Sequence, residues 1–266
     1  MKLNDKIDYL QDGKSIVSLV DRMMVDSPLK VVNSARISYS KKKDVFDEKD
    51  TKLCRFLDEE DHTSPFRHSY FTFHIKAPLF VYNQLKKYQV GSTFRSYEVD
   101  GNEVSLEVFD HYYDTDKGCS WNEISGRYTQ TSKEFYVPKE LRSNPPHGNK
   151  QSSGKYENPL HHSNPEKMYE DEILNEMKQI CNDSLFLYDR FIKNGVAKEI
   201  ARAYLPQGMY SEAYWTISLQ GVIHFLRQRL HKNAQYEIRM LAEGIYNLLK
   251  TDLDKLGIQK QDLTGE

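Results

Sequence analysis

The chain has 266 residues, 38% hydrophobic and 29% charged, with 37 Lys and Arg against 39 Asp and Glu for a formal net charge of −2. A chain this long buries a core without disulfides or a structural metal, and its balanced charge lacks the clustered basic surface that a nucleic-acid polymer demands. The longest apolar run, Ala77 to Tyr82, falls far short of the roughly 18 to 20 residues of a membrane span.

Three cysteines, Cys54, Cys119 and Cys181, are odd in number and lack CxxC spacing. They fit a reducing compartment and argue against a zinc ribbon, so no metal is expected. The first residues alternate charged and apolar side chains with no leader-like apolar run, which points to the cytoplasm. The 18 Tyr and 12 Phe suit flat-ring ligands and an aromatic core equally.

The first clear element is Ser64 to Ala77, where Phe71, Phe73, Ile75 and Ala77 alternate with Tyr70, Thr72, His74 and Lys76. A period of two predicts a half-buried strand, with His68 and His74 on its polar face if it starts early enough. Pro78 suits the first turn of a helix carrying Val81, Leu85 and Tyr88. Tyr97–Val99 and Val104–Val108 flank an Asp-Gly turn signal, so residues 92–119 read as a hairpin insertion.

Residues 141–167 are rich in Pro, Asn, Ser and Gly and predict a mobile loop or lid. Ile173, Met177, Ile180, Leu187 and Phe191 predict a helix ended by Gly195, and a short segment from Ala197 stops at Pro206. Two more helices are expected, one carrying Trp215, Leu219, Val222 and Leu226, the other Ala234, Ile238, Leu241, Ile245 and Leu248. The charged tail from Thr251 should fray. Strands first and helices after predict an α+β fold, a mainly antiparallel sheet packed with helices, over residues 1–250.

The densest polar string is Ser120 to Tyr128, SWNEISGRY, which packs hydroxyls, an amide, a carboxylate and a guanidinium around Gly126. Glycine permits close backbone approach, Ser125 can donate to a phosphate oxygen, and Arg127 can form bidentate charge-assisted bonds. The string describes an anion pocket, although a polar loop opening a strand would look the same.

It does not stand alone. SARISY (34–39), SPFRHSYFTFHIKAPLFVYNQL (64–85), SWNEISGRY, KEFYVP (133–138), NGVAKEIARAYLP (194–206), YWTISLQGVIHFLRQR (214–229) and NAQYEI (233–238) occur in that order. Together they resemble the flavin-dependent thymidylate synthases. The resemblance implies transfer of a one-carbon unit from methylenetetrahydrofolate to carbon 5 of dUMP, with reduced FAD supplying the hydride and NADPH regenerating the flavin. It also implies a homotetramer with active sites between subunits.

Carried over by position, Ser125, Gly126 and Arg127 would hold the dUMP phosphate. Gln84 and Arg202 would contact the nucleotide, and Glu123 would lie beside the pyrimidine. Arg229 matches a uracil-contacting arginine able to stabilise enolate charge, so Arg229, Glu123 and Ser125 are the expected catalytic residues. His68 matches a histidine near flavin and folate, with Ser120, Asn122 and Glu123 on the cofactor side as well.

The chain departs from the family on that side. Lys87-Tyr88-Gln89 stands where the family has Arg-His-Arg, and Ser218, Gln220 and His224 align with a flavin-binding Asn, Arg and Asn. Lysine lacks the planar fork of arginine, while tyrosine can stack on a flat ring. The insertion at 92–119 divides a motif that is otherwise continuous. Three readings are left: a thymidylate synthase that still uses FAD, a sibling that finishes with a hydroxymethyl group, and a non-catalytic nucleotide binder.

Overall fold

A computed structural model describes residues 3–23, 27–88, 97–99, 102–104, 119–130, 132–143, 153–155 and 169–264. Its centre is set by two strands of strict alternation. In β3 (Tyr70–Pro78) Phe71, Phe73, Ile75 and Ala77 are buried while Tyr70, Thr72, His74 and Lys76 stay half-buried. It pairs antiparallel along its whole length with β9 (Tyr210–Ser218), from Tyr70 opposite Ser218 to Pro78 opposite Tyr210.

Ala213, Trp215 and Ile217 of β9 therefore share the buried face. Outward, Thr72 bonds Thr216 at 2.9 Å and His74 meets Glu212 at 2.8 Å. Around this pair lie β1 (Lys6–Ile7), β2 (Ile16–Arg22) and β6 (Cys119–Glu123), giving the antiparallel order β1-β2-β3-β9-β6.

Helices close the apolar face. The chain order runs α1 (Ser27–Arg36), α2 (Glu48–Glu59), α3 (Leu79–Leu85), α4 (Glu170–Lys193), α5 (Lys198–Ala201), α6 (Leu219–Arg229), α7 (Tyr236–Leu256) and α8 (Lys260–Thr264). The Trp215 ring meets Phe73 at 5.9 Å and the edge of Phe225 from α6 at 5.4 Å. The apolar stripe of α7 runs Ile238, Leu241, Ala242, Ile245, Leu248, Leu249, Leu253 and Leu256, all buried. Gly244 lets α7 approach β2, because a Cβ there would lie 2.7 Å from the Val17 Cγ1 atom. The fold is α+β, as the alternation predicts.

Several boundaries differ from expectation. Residues Ser64–His68 form a 3₁₀ turn with Pro65 in its first positions, so the strand starts at Tyr70 and His68 is exposed off its face. Pro78 ends β3 and precedes α3 as its N-cap rather than sitting inside the first turn. Trp215 belongs to β9, not to a helix. The helix begins only at Leu219, where Ser218 caps it by accepting from the Gly221 amide at 3.2 Å.

Residues 252–264 do not fray. They complete α7, turn at Gly257 with φ +76° and bury Leu253, Leu256, Ile258 and Leu263, because their charges alternate with a continuing apolar stripe. The expected helix through Met177, Ile180 and Leu187 is α4, and these three side chains are exposed. Gly195 does follow α4, at φ +81°, and the short α5 ends before Pro206.

Of the insertion, β4 (Tyr97–Val99) pairs antiparallel with β5 (Asn102–Val104), whereas the expected second arm began at Val104. Cys119 already belongs to β6. Within the expected loop, Leu141 is buried and β7 (Arg142–Ser143) pairs with β8 (Gly154–Lys155). Most of the insertion, most of the loop and Gln89 lie outside the described residues.

Candidate active site

Edge strand β6 splits its residues by period two. Trp121 and Glu123 are half-buried, while Ser120 and Asn122 are exposed on the other side. The Glu123 carboxylate accepts from Lys86 Nζ at 2.5 Å and from Trp121 Nε1 at 3.3 Å. The Lys86 ammonium also sits 5.3 Å from the Trp121 ring.

A tight turn follows β6. The Ser125 carbonyl accepts from the amides of Tyr128 and Thr129, each at 3.1 Å, and the Arg127 amide donates to Ser125 Oγ at 3.3 Å. Gly126 is buried in this turn, whereas Arg127 projects into solvent. Its only ion partner among the described residues is Glu199 at 3.5 Å, a surface contact of small energetic weight. Beside the turn opens a cleft of about 320 Å³ lined by Glu123, Gly126, Arg202, Lys76, Glu212 and Tyr210. Arg202, far in sequence from Glu123 and Gly126, thus shares with them one cavity of ligand-binding size.

A second group gathers at the end of α3. Tyr88 is buried against the edge of Phe225 at 5.1 Å and against His224 at 5.9 Å. The Arg229 guanidinium lies 5.1 Å from the Tyr88 ring centroid. The Arg229 Nε is buried and meets no acceptor among the described residues. An unmet buried donor is costly and is a feature that sites retain for ligands.

Gln84 is held by a relay. Its Nε2 donates to Gln235 Oε1 at 2.5 Å, and Gln235 Nε2 donates to Glu237 Oε2 at 2.9 Å. The buried Glu237 also accepts from the Tyr136 hydroxyl at 2.9 Å and pairs with Arg142. Burial first, and the Glu237 charge second, push the Tyr136 phenol up, so it stays a neutral donor.

On the side expected to hold the cofactor, Gln220 accepts from Arg67 Nε at 2.6 Å. His224 is half-buried, and burial together with nearby Arg227 lowers its pKa. Ser218 is buried and its Oγ caps α6. His68 and Lys87 are exposed. Among the described residues no group of three or more His, Cys, Asp or Glu side chains could hold a metal ion, and no helix is long and apolar enough to cross a membrane.

Sequence patterns brought Glu123, Ser125, Arg127, Arg202 and Arg229 into view but not the groups that hold them. Lys86, Arg67, Arg142, Gln235 and Glu237 were missed as contributors. The string NAQYEI contains two of them, and a carboxylate on the apolar stripe of α7 was the available signal.

A model of the family described as "Thymidylate synthase complementing protein" matches residues 18–253. A flavin-dependent thymidylate synthase of Kosmotoga olearia is 33% identical over 243 residues, covering 90% of this chain and 86% of the relative. The chain belongs to the flavin-dependent thymidylate synthase family. Another such synthase, from Thermosipho africanus, is 32% identical over 244 residues, 92% of this chain and 90% of its own.

The crystal structure of a UMP/dUMP methylase, PolB from Streptomyces cacaoi bound with 5-Br dUMP, superposes with a TM-score of 0.67 at 25% identity. It covers 92% of this chain and 96% of the methylase. Membership in the flavin-dependent thymidylate synthases makes this chain an enzyme and supports one-carbon transfer to dUMP, giving dTMP by flavin chemistry.

Proposed function

We propose that the turn Ser125-Gly126-Arg127 grips the phosphate of dUMP and that the pyrimidine lies against Arg229. What most supports this reading is the Arg229 Nε, a buried donor with no protein acceptor among the described residues, beside the flat Tyr88 ring. A pyrimidine carbonyl satisfies that donor. The guanidinium then stabilises the negative charge that develops on the ring as carbon 5 attacks the one-carbon unit, which is electrostatic catalysis by a preorganised group.

Ser125 Oγ, the amides of its turn and the Arg127 side chain supply the phosphate donors, with Arg202 adding charge from the cleft wall. Arg127 exchanges a solvent-exposed contact with Glu199 for a doubly charged phosphate. Gln84 is fixed in one amide orientation, because the Glu237 carboxylate can only accept and so determines which end each glutamine presents. Glu123, restrained by Lys86 and Trp121, forms the polar wall beside the base.

The folate is methylenetetrahydrofolate, and the cofactor is FAD, re-reduced by NADPH. When bound, reduced FAD would supply the hydride that completes the methyl group. The residues present fit such a cofactor, with Tyr88 offering a ring beside His224, Arg67 and Gln220 offering donors in the adjoining cleft, and exposed Lys87 adding charge. The enzyme acts as a cytoplasmic homotetramer. Exposed Met177, Ile180, Phe186 and Leu187 on α4 suit burial against another subunit.

The test is binding with colour. Purified protein incubated with FAD should turn yellow, bleach on addition of NADPH under anaerobic conditions, and bind dUMP. A protein that binds dUMP but never flavin would remove the redox half of the reading. One that binds flavin but not dUMP would remove the nucleotide half.

A further inference from the structure

A small cleft of about 80 Å³ opens between the end of α2 and one face of α6, lined among others by Asp58, Thr63, Gln220, His224 and Arg227. Arg67 borders it from the 3₁₀ turn, which is anchored by the buried Pro65 and Phe66. Its Nε donates to Gln220 Oε1 at 2.6 Å and its Nη2 to Thr63 Oγ1 at 3.3 Å. Both acceptors are neutral. Among the described residues no carboxylate pairs with Arg67, although Asp58 and Asp61 line the same cleft. Asp58 is taken by Arg227 at 2.6 Å, and Asp61 is exposed.

At the Arg67–Gln220 contact the groups left facing outward are donors. A guanidinium cannot accept, so Gln220 must turn its oxygen to Arg67 and its amide hydrogens outward. Arg67 and Gln220 together therefore offer positive charge and several N–H groups, with the Asp58 carboxylate on the cleft wall held by Arg227 and the Asp61 side chain exposed to solvent. This combination suits a phosphate oxygen.

The site also continues toward the reaction centre. His224 lies one helical turn after Gln220, its ring is 5.9 Å from Tyr88, and Tyr88 carries Arg229 at 5.1 Å. Neighbouring contacts thus form a strip from Arg67 to the arginine proposed to face the base.

We propose that Arg67 binds the phosphates of the flavin dinucleotide and restores, from a different strand of sequence, the cation that this chain lacks at Gln220. The inference rests on the flavin reading above and names one residue within it. Thr63 and Gln220 serve as its positioning partners.

The experiment measures FAD affinity by fluorescence quenching for the wild-type enzyme, R67Q and the double variant R67Q/Q220R. ADP and riboflavin serve as probes for the phosphate and ring portions. Thermal melting confirms folding, and dUMP affinity is read in parallel. R67Q should weaken FAD and ADP at least tenfold and leave riboflavin and dUMP within twofold, and the double variant should recover FAD to within threefold.

Unchanged FAD affinity in R67Q overturns the assignment, as does an equal loss for riboflavin and ADP. If R67Q melts early, the double variant decides. Recovery of the melting temperature without recovery of FAD affinity also overturns it. Wild-type protein that binds dUMP but no FAD would defeat the flavin reading itself, a result distinct from FAD binding that ignores Arg67.

Discussion

The guanidinium of Arg229 lies 5.1 Å from the centroid of the Tyr88 ring, and the Arg229 Nε has no acceptor of its own among the described residues. Tyr88 thus holds the arginine through its ring and a hydroxyl contact without consuming the Nε donor. The arrangement separates the roles of the two residues. Arg229→Gln should lower kcat by about 100-fold or more, the scale of losing one preorganised donor. Tyr88→Phe, which keeps the ring, should retain most of the activity. Steady-state kinetics on both variants checks this, and equal losses would show that the hydroxyl matters as much as the cation.

Arg127 is exposed, and its side-chain contacts among the described residues are a 3.5 Å surface ion pair with Glu199 and the neighbouring Tyr128 ring. Arg127→Ala should therefore leave the melting temperature unchanged within about a degree or two, since exposed pairs contribute little. It should weaken dUMP at least tenfold, about 1.4 kcal/mol. Calorimetric titration reads this directly, and wild-type affinity in the variant would relocate the phosphate.

Glu237 joins stability to substrate binding. Its carboxylate is buried with Arg142, Tyr136 and Gln235 as partners, and removing one member of a buried pair costs about 3–5 kcal/mol. Glu237→Ala should show that loss in denaturant unfolding. Gln235→Ala breaks only the link to Gln84 and should raise the KM for dUMP while unfolding close to wild type. A Gln235→Ala enzyme with unchanged KM would detach the relay from the nucleotide.

Asp50 gives the pH prediction. It is buried and paired with Arg36 at 2.5 Å and Lys43 at 2.8 Å. Burial works upward on its carboxyl, but the bond from Lys43, the amide of Asp47 and Arg36 outweigh it and hold the pKa below the ordinary value. A depressed folded-state pKa contributes stability that is complete above the unfolded value of about 4. That stability is lost as pH falls through the folded value. Melting temperature should therefore drop steeply below about pH 4 in the wild type and less steeply in Asp50→Asn, which starts lower. Parallel slopes would place the acid sensitivity elsewhere.

The legible parts of this protein were those written in local period. The alternation of Phe71, Phe73 and Ile75 and the stripe Ile238, Leu241 and Ile245 announce their strand and helix without tertiary information. Trp215 failed because Trp215, Leu219, Val222 and Leu226 happen to fall at helical spacing, while the competing alternation of Ala213, Trp215 and Ile217 is what pairs with β3. The tail failed because its charges masked Leu253, Leu256 and Leu263, which only a folded neighbour rewards for burial.

The same division holds for the candidate site. Chemistry-bearing side chains such as Ser125, Arg127 and Arg229 stand out in the sequence. The residues that orient them do not, because Gln235 and Arg67 touch their partners 151 and 153 positions away.

The account stands or falls on the nucleotide that leaves the enzyme. Wild-type protein supplied with dUMP, methylenetetrahydrofolate, FAD and NADPH, and followed by mass spectrometry of the nucleotide pool, should yield a product heavier than dUMP by one methylene and identical to dTMP. A hydroxymethylated nucleotide, or dUMP returned unchanged by enzyme that binds both dUMP and flavin, would contradict it.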